Sequence, residues 1–242
     1  MKPIAHSVQF VKQGESECVQ ASAAQILAFY GIRKTIEEIK NEVPPLRSKD
    51  GELIGTLWAH IALYFLELGF NVTFHTTDVV IFDRRWKNLS NKELLKKLEQ
   101  RQPHLTHGFY GREILDAYFD GYTRFIKKGG IVQLPIVTSD YLYGLLKKGP
   151  ILASVDYQFL NDVSKWSYMA ETDRWVEDDI KGIPLTHAII ISGYRDGVYT
   201  IVDPDFRYGG VRTIPADHLL GAFYLAQFSF DNMLITLSPP VQ

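Results

Sequence analysis

Apolar residues recur at helical spacing early in the chain, at Val19, Ala23, Ile26, Leu27 and Tyr30. That spacing predicts a helix over residues 17–30 with one buried face. A polar approach, Gln13-Gly14-Glu15-Ser16-Glu17, precedes it, and Gly31 supplies a C-terminal stop. Ser16 is the expected N-cap, which sets Cys18 in the first turn. Thr35 is placed to cap a short second helix over 36–41. A third helix is predicted over 56–68, stopped by Gly69, and a strand follows over 70–75. From 76 to 133 the chain is charged and aromatic, with helical stretches near 92–101 and 112–128, the latter ended by Gly129-Gly130. This stretch reads as an insertion, or an elaborated helical layer, beside the core.

The pattern then changes. A helix over 139–148 is broken by Gly149-Pro150, and 151–156 is β-like. Residues 187–193 form a nearly unbroken apolar run, as in a strand covered on both faces. Asp196-Gly197 marks a turn, and 198–202 is the returning strand. A short helix over 217–223 and a last strand over 233–237 complete the chain. Helices first and an antiparallel sheet afterwards define the α+β class, with N-terminal helices packed on a C-terminal antiparallel sheet. The 242 residues are read as one domain.

An apolar fraction of 46% suffices for a core of this size. Lys and Arg total 26 against 28 Asp and Glu, and no long basic run occurs, so a nucleic-acid partner is not expected. The most apolar stretches, 57–68 and 188–192, are too short to span a bilayer, and no integral membrane segment is expected. Residues 1–8 lack the apolar run of a signal peptide. A single cysteine cannot form an internal disulfide, which favours a reducing, cytoplasmic location.

That cysteine is the first candidate for chemistry. A helix N-terminus carries a partial positive charge that favours thiolate over thiol. The alternative is a small apolar residue packed at a helix start. His187 begins one strand of the predicted hairpin and Asp203 ends the other, so both fall at the same end of the sheet. An aspartate there would fix the histidine tautomer, and the pair set against Cys18 would make nucleophile, base and orienter. Taken singly, a strand-end histidine is more often structural, and Asp203-Pro204 is ordinary turn chemistry.

Together these segments resemble the peptidase C39-like family of the papain-like cysteine peptidase superfamily. The matching pieces are 13–31, 148–156, 186–194 through 202–204, and 217–239, roughly half the chain; 76–133 has no recognisable counterpart. The resemblance implies a papain-like fold and a hydrolase that cleaves a peptide or amide bond through an acyl-enzyme. It implies Cys18 as nucleophile, His187 as base, Asp203 as orienter and Gln13 as oxyanion donor beside the Cys18 N–H. One such donor is worth roughly 3 kcal/mol in the transition state. Gln9 and Gln20 are rivals for that role. The family usually carries glycine directly after the cysteine, often followed by proline or alanine, where this chain has Val19 and Gln20. Val19 is therefore expected to crowd the substrate carbonyl. A degenerate peptide-binding domain and an acyl transferase on the same triad are the alternatives. The transporter-fused, double-glycine-cutting branch does not carry over, because no transmembrane region is read.

No cofactor is expected. His104 and His107 have a metal-binding spacing but no third ligand, and a solvated loop is the reading preferred. His60 reads as a core histidine and His218 as exposed. Tyr157, Trp166, Tyr168 and Trp175 form either a wall over the cleft or the cap of a satellite core. Glu171, Asp173, Glu177, Asp178 and Asp179 make that connection acidic, which suits a basic peptide or simply solubility.

Overall fold

A computed structural model describes residues 1–47, 53–105, 112–169, 174–226 and 232–239. In chain order the elements are β1 (Ile4–Ala5), α1 (Cys18–Phe29), α2 (Ile36–Glu42), β2 (Leu46–Arg47), β3 (Leu53–Gly55), α3 (Trp58–Glu67) and β4 (Asn71–Thr76). Then come α4 (Asn91–Arg101), α5 (Arg112–Lys127), β5 (Ile131–Gln133), α6 (Ser139–Leu146), β6 (Ile151–Asp156), α7 (Tyr157–Asn161), β7 (Trp166–Met169) and β8 (Arg174–Glu177). Last are β9 (Thr186–Arg195), β10 (Val198–Asp203), β11 (Gly210–Pro215), α8 (Ala216–Leu225) and β12 (Met233–Ser238).

Among the described residues, the main sheet runs β11-β10-β9-β6-β12-β4-β5, with β1 added to β9. It is antiparallel except for the parallel pair β4–β5. The chain's last strand, β12, lies in the interior of the sheet between β6 and β4. The α+β reading holds, with one refinement: β4 and β5 precede the helix–sheet boundary expected from sequence, so the sheet draws on both halves of the chain.

Both faces of this sheet are covered. On one face Val19, Ile26, Leu27, Phe65 and Phe125 pack against sheet residues that include Leu152, Ala188, Ile190 and Val202. On the other, Leu142, Leu146, Leu219 and Phe223 pack against Ile151, Ala153, Ile189 and Ile201. Neighbouring residues of β6 and β9 thus enter different cores, which is why their sequences are continuously apolar rather than alternating. The N-terminal helices cover only the first face; α6 and α8 cover the second.

Local chemistry explains several boundaries. Thr35 and Glu38 form a capping box at α2, and Ser90 and Glu93 form another at α4. Ser16 does not cap α1. It adopts a left-handed backbone with φ of 57°, and Glu17 is the N-cap, without a side-chain capping bond. The Glu17 carboxylate instead accepts from the Gly14 N–H at 3.1 Å and pairs with Lys40 at 2.7 Å, tightening the turn that delivers Cys18.

One irregularity shapes β9. Thr200 pairs with Gly193, but Ile201 pairs with Ile191, which leaves Ser192 as an extra residue. Because of it, Ile189, Ile191 and Tyr194 all enter the same core.

Candidate active site

Cys18 is the first residue of α1 and is half-buried. Two bonds fix this helix over the sheet. Ser22 Oγ donates to the Ala188 carbonyl at 3.1 Å, and Gln25 Nε2 donates to the Val11 carbonyl at 3.1 Å. The first sets α1 across the start of β9, one turn beyond Cys18. His187 is the second residue of β9, paired with Val155 of β6, and is buried at 4% exposure. Asp203 ends β10 and is fully buried. The turn after it is tight: a Cβ on Gly209 would lie 2.5 Å from the Asp203 carbonyl oxygen and 2.1 Å from that of Asp205.

His187 Nε2 and Asp203 Oδ1 are 2.7 Å apart. With Nε2 engaged, Nδ1 is the ring nitrogen left for the Cys18 thiol, which lies near enough to favour the charged imidazole. Asp203 Oδ1 also accepts the Asp205 N–H at 3.0 Å, and Oδ2 accepts from Arg212 Nη2 at 2.8 Å. The Tyr157 ring stands edge-on to the imidazole, with centroids 5.3 Å apart. The predicted residues Cys18, His187 and Asp203 are therefore brought together at one end of the sheet.

The electrostatics follow from that arrangement. Burial disfavours the charged form of His187, but the Asp203 carboxylate and the bond to it outweigh burial, and Cys18 adds to the effect. The imidazole is pushed up to about 10. Burial would raise Asp203, yet His187, Arg212 and the Asp205 N–H together hold it well below the ordinary carboxylate range. An imidazolium stabilised at neutral pH is the partner that a nucleophilic sulfur requires.

Gln13 reaches the same region. Its N–H donates to the Pro204 carbonyl at 2.9 Å, which ties the loop before α1 to the residue after Asp203. Its Oε1 is buried without a hydrogen-bond partner. The rivals lie elsewhere. Gln9 is exposed, and Gln20 is buried with its Nε2 committed to Thr56 Oγ1 and the Val43 carbonyl.

Val19 does not crowd the site as expected. Its side chain is buried at 6% exposure in the helix-side core. A step of about 100° around the helix separates it from Cys18, enough to turn it inward. Val19→Ala is expected to lower unfolding free energy by about 1–2 kcal/mol while leaving the rate of Cys18 alkylation unchanged. Urea denaturation and iodoacetamide labelling of the same variant check both halves.

The remaining candidates separate from the site. His218 Nε2 meets the Phe159 carbonyl at 2.8 Å and is exposed. His60 is half-buried, and burial pushes its imidazole down. His104 is exposed, and His107 lies outside the described residues. No group of three or more His, Cys, Asp or Glu among the described residues could hold a metal ion. His75, which the sequence reading passed over, is buried on β4 between Tyr141 Oη and Thr236 Oγ1, with β6 and β12 lying between it and β9. Burial pushes it down to about 4, so it is neutral and structural.

In the connection before β9, to which the sequence pattern assigned no element, β7 and β8 pair antiparallel. Tyr157 and Trp166 are buried and in ring contact, and the Arg207 guanidinium lies 4.1 Å from the centre of the Trp166 ring. These two aromatics therefore pack beside His187. The side chains of Tyr168 and Trp175, and residues Glu171 and Asp173, lie outside the described set. Two cavities, of about 230 and 350 Å³, lie away from this site, against α4 and near the end of β4; neither is lined by cysteine or histidine.

The fold is similar to that of a C39-like peptidase structure. A protein from Bacillus anthracis described as a C39-like peptidase is similar over 100% of both chains, with a TM-score of 0.53 and 12% identity. The peptidase domain of Streptococcus ComA, a bifunctional ABC transporter of a quorum-sensing pathway, is similar over 96% of this chain and 99% of its own, at a TM-score of 0.44 and 15% identity. A double-glycine-motif protease of an AMS/PCAT transporter, solved with its leader peptide, is similar over 99% of both chains, at 0.41 and 13%. No protein-family model and no curated protein matches the sequence. No helix among the described residues is long and apolar enough to cross a membrane.

Proposed function

We propose that this chain is a cysteine peptidase-like hydrolase that cleaves a peptide or amide bond through an acyl-enzyme. One observation carries the reading: a buried histidine bonded through one nitrogen to a buried aspartate, with the chain's single cysteine beside it at a helix start. The fold, shared with a C39-like peptidase, supports a peptide as the substrate class. We take residues 1–242 as one domain, in which α4 and α5 add a helical layer against α3.

In this mechanism the Cys18 sulfur attacks the carbonyl carbon, and the π electron pair moves onto oxygen. His187 holds the proton that leaves the thiol. When the tetrahedral species collapses, the C–N bond breaks and His187 gives that proton to the departing amine. Water then attacks the thioester, its proton passes to His187, the C–S bond breaks, and the thiol is restored. Asp203 keeps Nδ1 directed at sulfur. Gln13 Nε2 and the Cys18 N–H face the developing oxyanion.

Incubation with a mixed peptide library, quenched and read by mass spectrometry, is expected to give an acyl adduct on Cys18 that the Cys18→Ala variant lacks. Gln13→Ala should lower turnover of any peptide so found by about 100-fold or more, since an oxyanion donor is lost. Its iodoacetamide labelling should stay at the wild-type rate, because alkylation builds no oxyanion. The reading fails if no adduct forms on Cys18, and the role of Gln13 fails if turnover is unchanged.

A further inference from the structure

Asp203 is fully buried, so both of its oxygens need partners. Oδ1 has two, His187 Nε2 and the Asp205 N–H; Oδ2 accepts from Arg212 Nη2. Arg212 sits on β11 opposite Ile201, and its side chain reaches along the strand pair to the carboxylate. The same Nη2 donates to Asn161 Oδ1 at 2.5 Å, at the end of α7. Asn161 Nδ2 in turn donates to the Tyr157 carbonyl at 3.0 Å, and the Tyr157 ring abuts His187. The contacts close a ring: His187, Asp203, Arg212, Asn161, Tyr157 and back to His187.

We infer that Arg212 is a positioning residue for the proposed reaction: it clamps Asp203 Oδ2, with Asn161 fixing the guanidinium, so that Oδ1 stays aimed at His187. A carboxylate held at one oxygen can turn about its Cβ–Cγ bond, while one held at both has its plane fixed. The charge-assisted bond from arginine is stronger than a neutral one. The other charged or titratable groups nearby are Cys18 on α1, which acts on His187, and Tyr157 on α7, which is itself faced by Asp205, Arg207 and Tyr208 of the turn between β10 and β11. Only Arg212 among them bonds to Oδ2 among the described residues.

This inference rests on the reading of Cys18 and His187 as the reactive pair, and the test separates the two. Iodoacetamide labelling of Cys18 at neutral pH is measured for folded wild type, His187→Ala, Asp203→Asn, Arg212→Met, Arg212→Lys, Asn161→Ala and the Asp203→Asn/Arg212→Met double variant. Arg212→Met is expected to label about threefold more slowly, as the loss of one outer charge-assisted bond would give. Arg212→Lys should recover part of that loss. The double variant should label no more slowly than Asp203→Asn alone, because Arg212 acts through Asp203. A purely structural role would give no rescue by lysine, and its effect would multiply with that of Asp203→Asn; either result overturns the inference, as does a wild-type rate in Arg212→Met. If Arg212→Met does not fold, Asn161→Ala decides: slower labelling supports the clamp and a wild-type rate rejects it. A wild-type rate in His187→Ala sinks the parent reading instead.

Discussion

His187→Ala is expected to slow iodoacetamide labelling of Cys18 at neutral pH by about tenfold, and to cut amide turnover by at least about a thousandfold. The two numbers differ because the two reactions ask different things of the imidazole. Alkylation needs only a reactive sulfur. An ordinary thiol is already a few per cent thiolate at pH 7, so the gain available from any partner is capped at about thirtyfold. Turnover also needs a proton delivered to the leaving amine, and that delivery is the role proposed for the imidazole. The histidine is pushed up to about 10, chiefly by Asp203 working against burial. The advantage of wild type over the variant should therefore persist across neutral pH and vanish as the imidazolium deprotonates near pH 10. Equal rates for the two proteins at pH 7 would remove His187 from the reaction.

Asp203→Ala is expected to cost about 3–5 kcal/mol of stability, because it leaves a buried imidazolium and a mostly buried guanidinium without their anion. Asp203 is fully buried and His187 nearly so, while Arg212 is 28% exposed and water compensates part of its loss. The sign of the pH dependence follows from the two shifts. Asp203 is depressed when folded, so its contribution is present above the ordinary carboxylate pKa and is lost as pH falls below about 4. His187 is raised, so its contribution is complete below about 6.5 and is lost as pH rises through about 10. Wild type should then be most stable between these limits and lose roughly a few kcal/mol between pH 6.5 and 10. The alanine variant should be nearly flat over that upper range. Urea denaturation at pH 5.5, 8 and 10 tests both claims; a variant within about 1 kcal/mol of wild type at pH 5.5 would contradict them.

What could be read from the sequence was what local pattern encodes. Val19 to Tyr30 repeats at helical spacing, and Asp196-Gly197 sits between two apolar runs, so α1 and the β9–β10 hairpin were both legible. The hairpin then made the approach of His187 to Asp203 a matter of geometry. Arg212 and Asn161 were not legible, since their contact joins positions 51 apart and neither carries a local signal. Ser16 looked like a cap because serine usually is one, but the Gly14–Glu17 turn turned its backbone left-handed. Val19 looked obstructive because adjacency in sequence was read as adjacency in space, whereas the helix turns it inward. The position of β12 within the sheet depends on pairing with β4 and β6, which no periodicity in 233–237 can reveal.

Ser192 sets a reversal of parity within β9. Side chains alternate along a strand, so an odd residue at 192 offsets the apolar spacing of the end bearing the Asp196-Gly197 turn from that of the end bearing His187. A chain shorter by that single serine would keep its partners along β10, with Gly193 opposite Thr200 and Ile191 opposite Ile201, and the imidazole would stay on the side of its carboxylate. The side on which the base stands is therefore dictated by the neighbouring strand, and an insertion or deletion at 192 is absorbed locally.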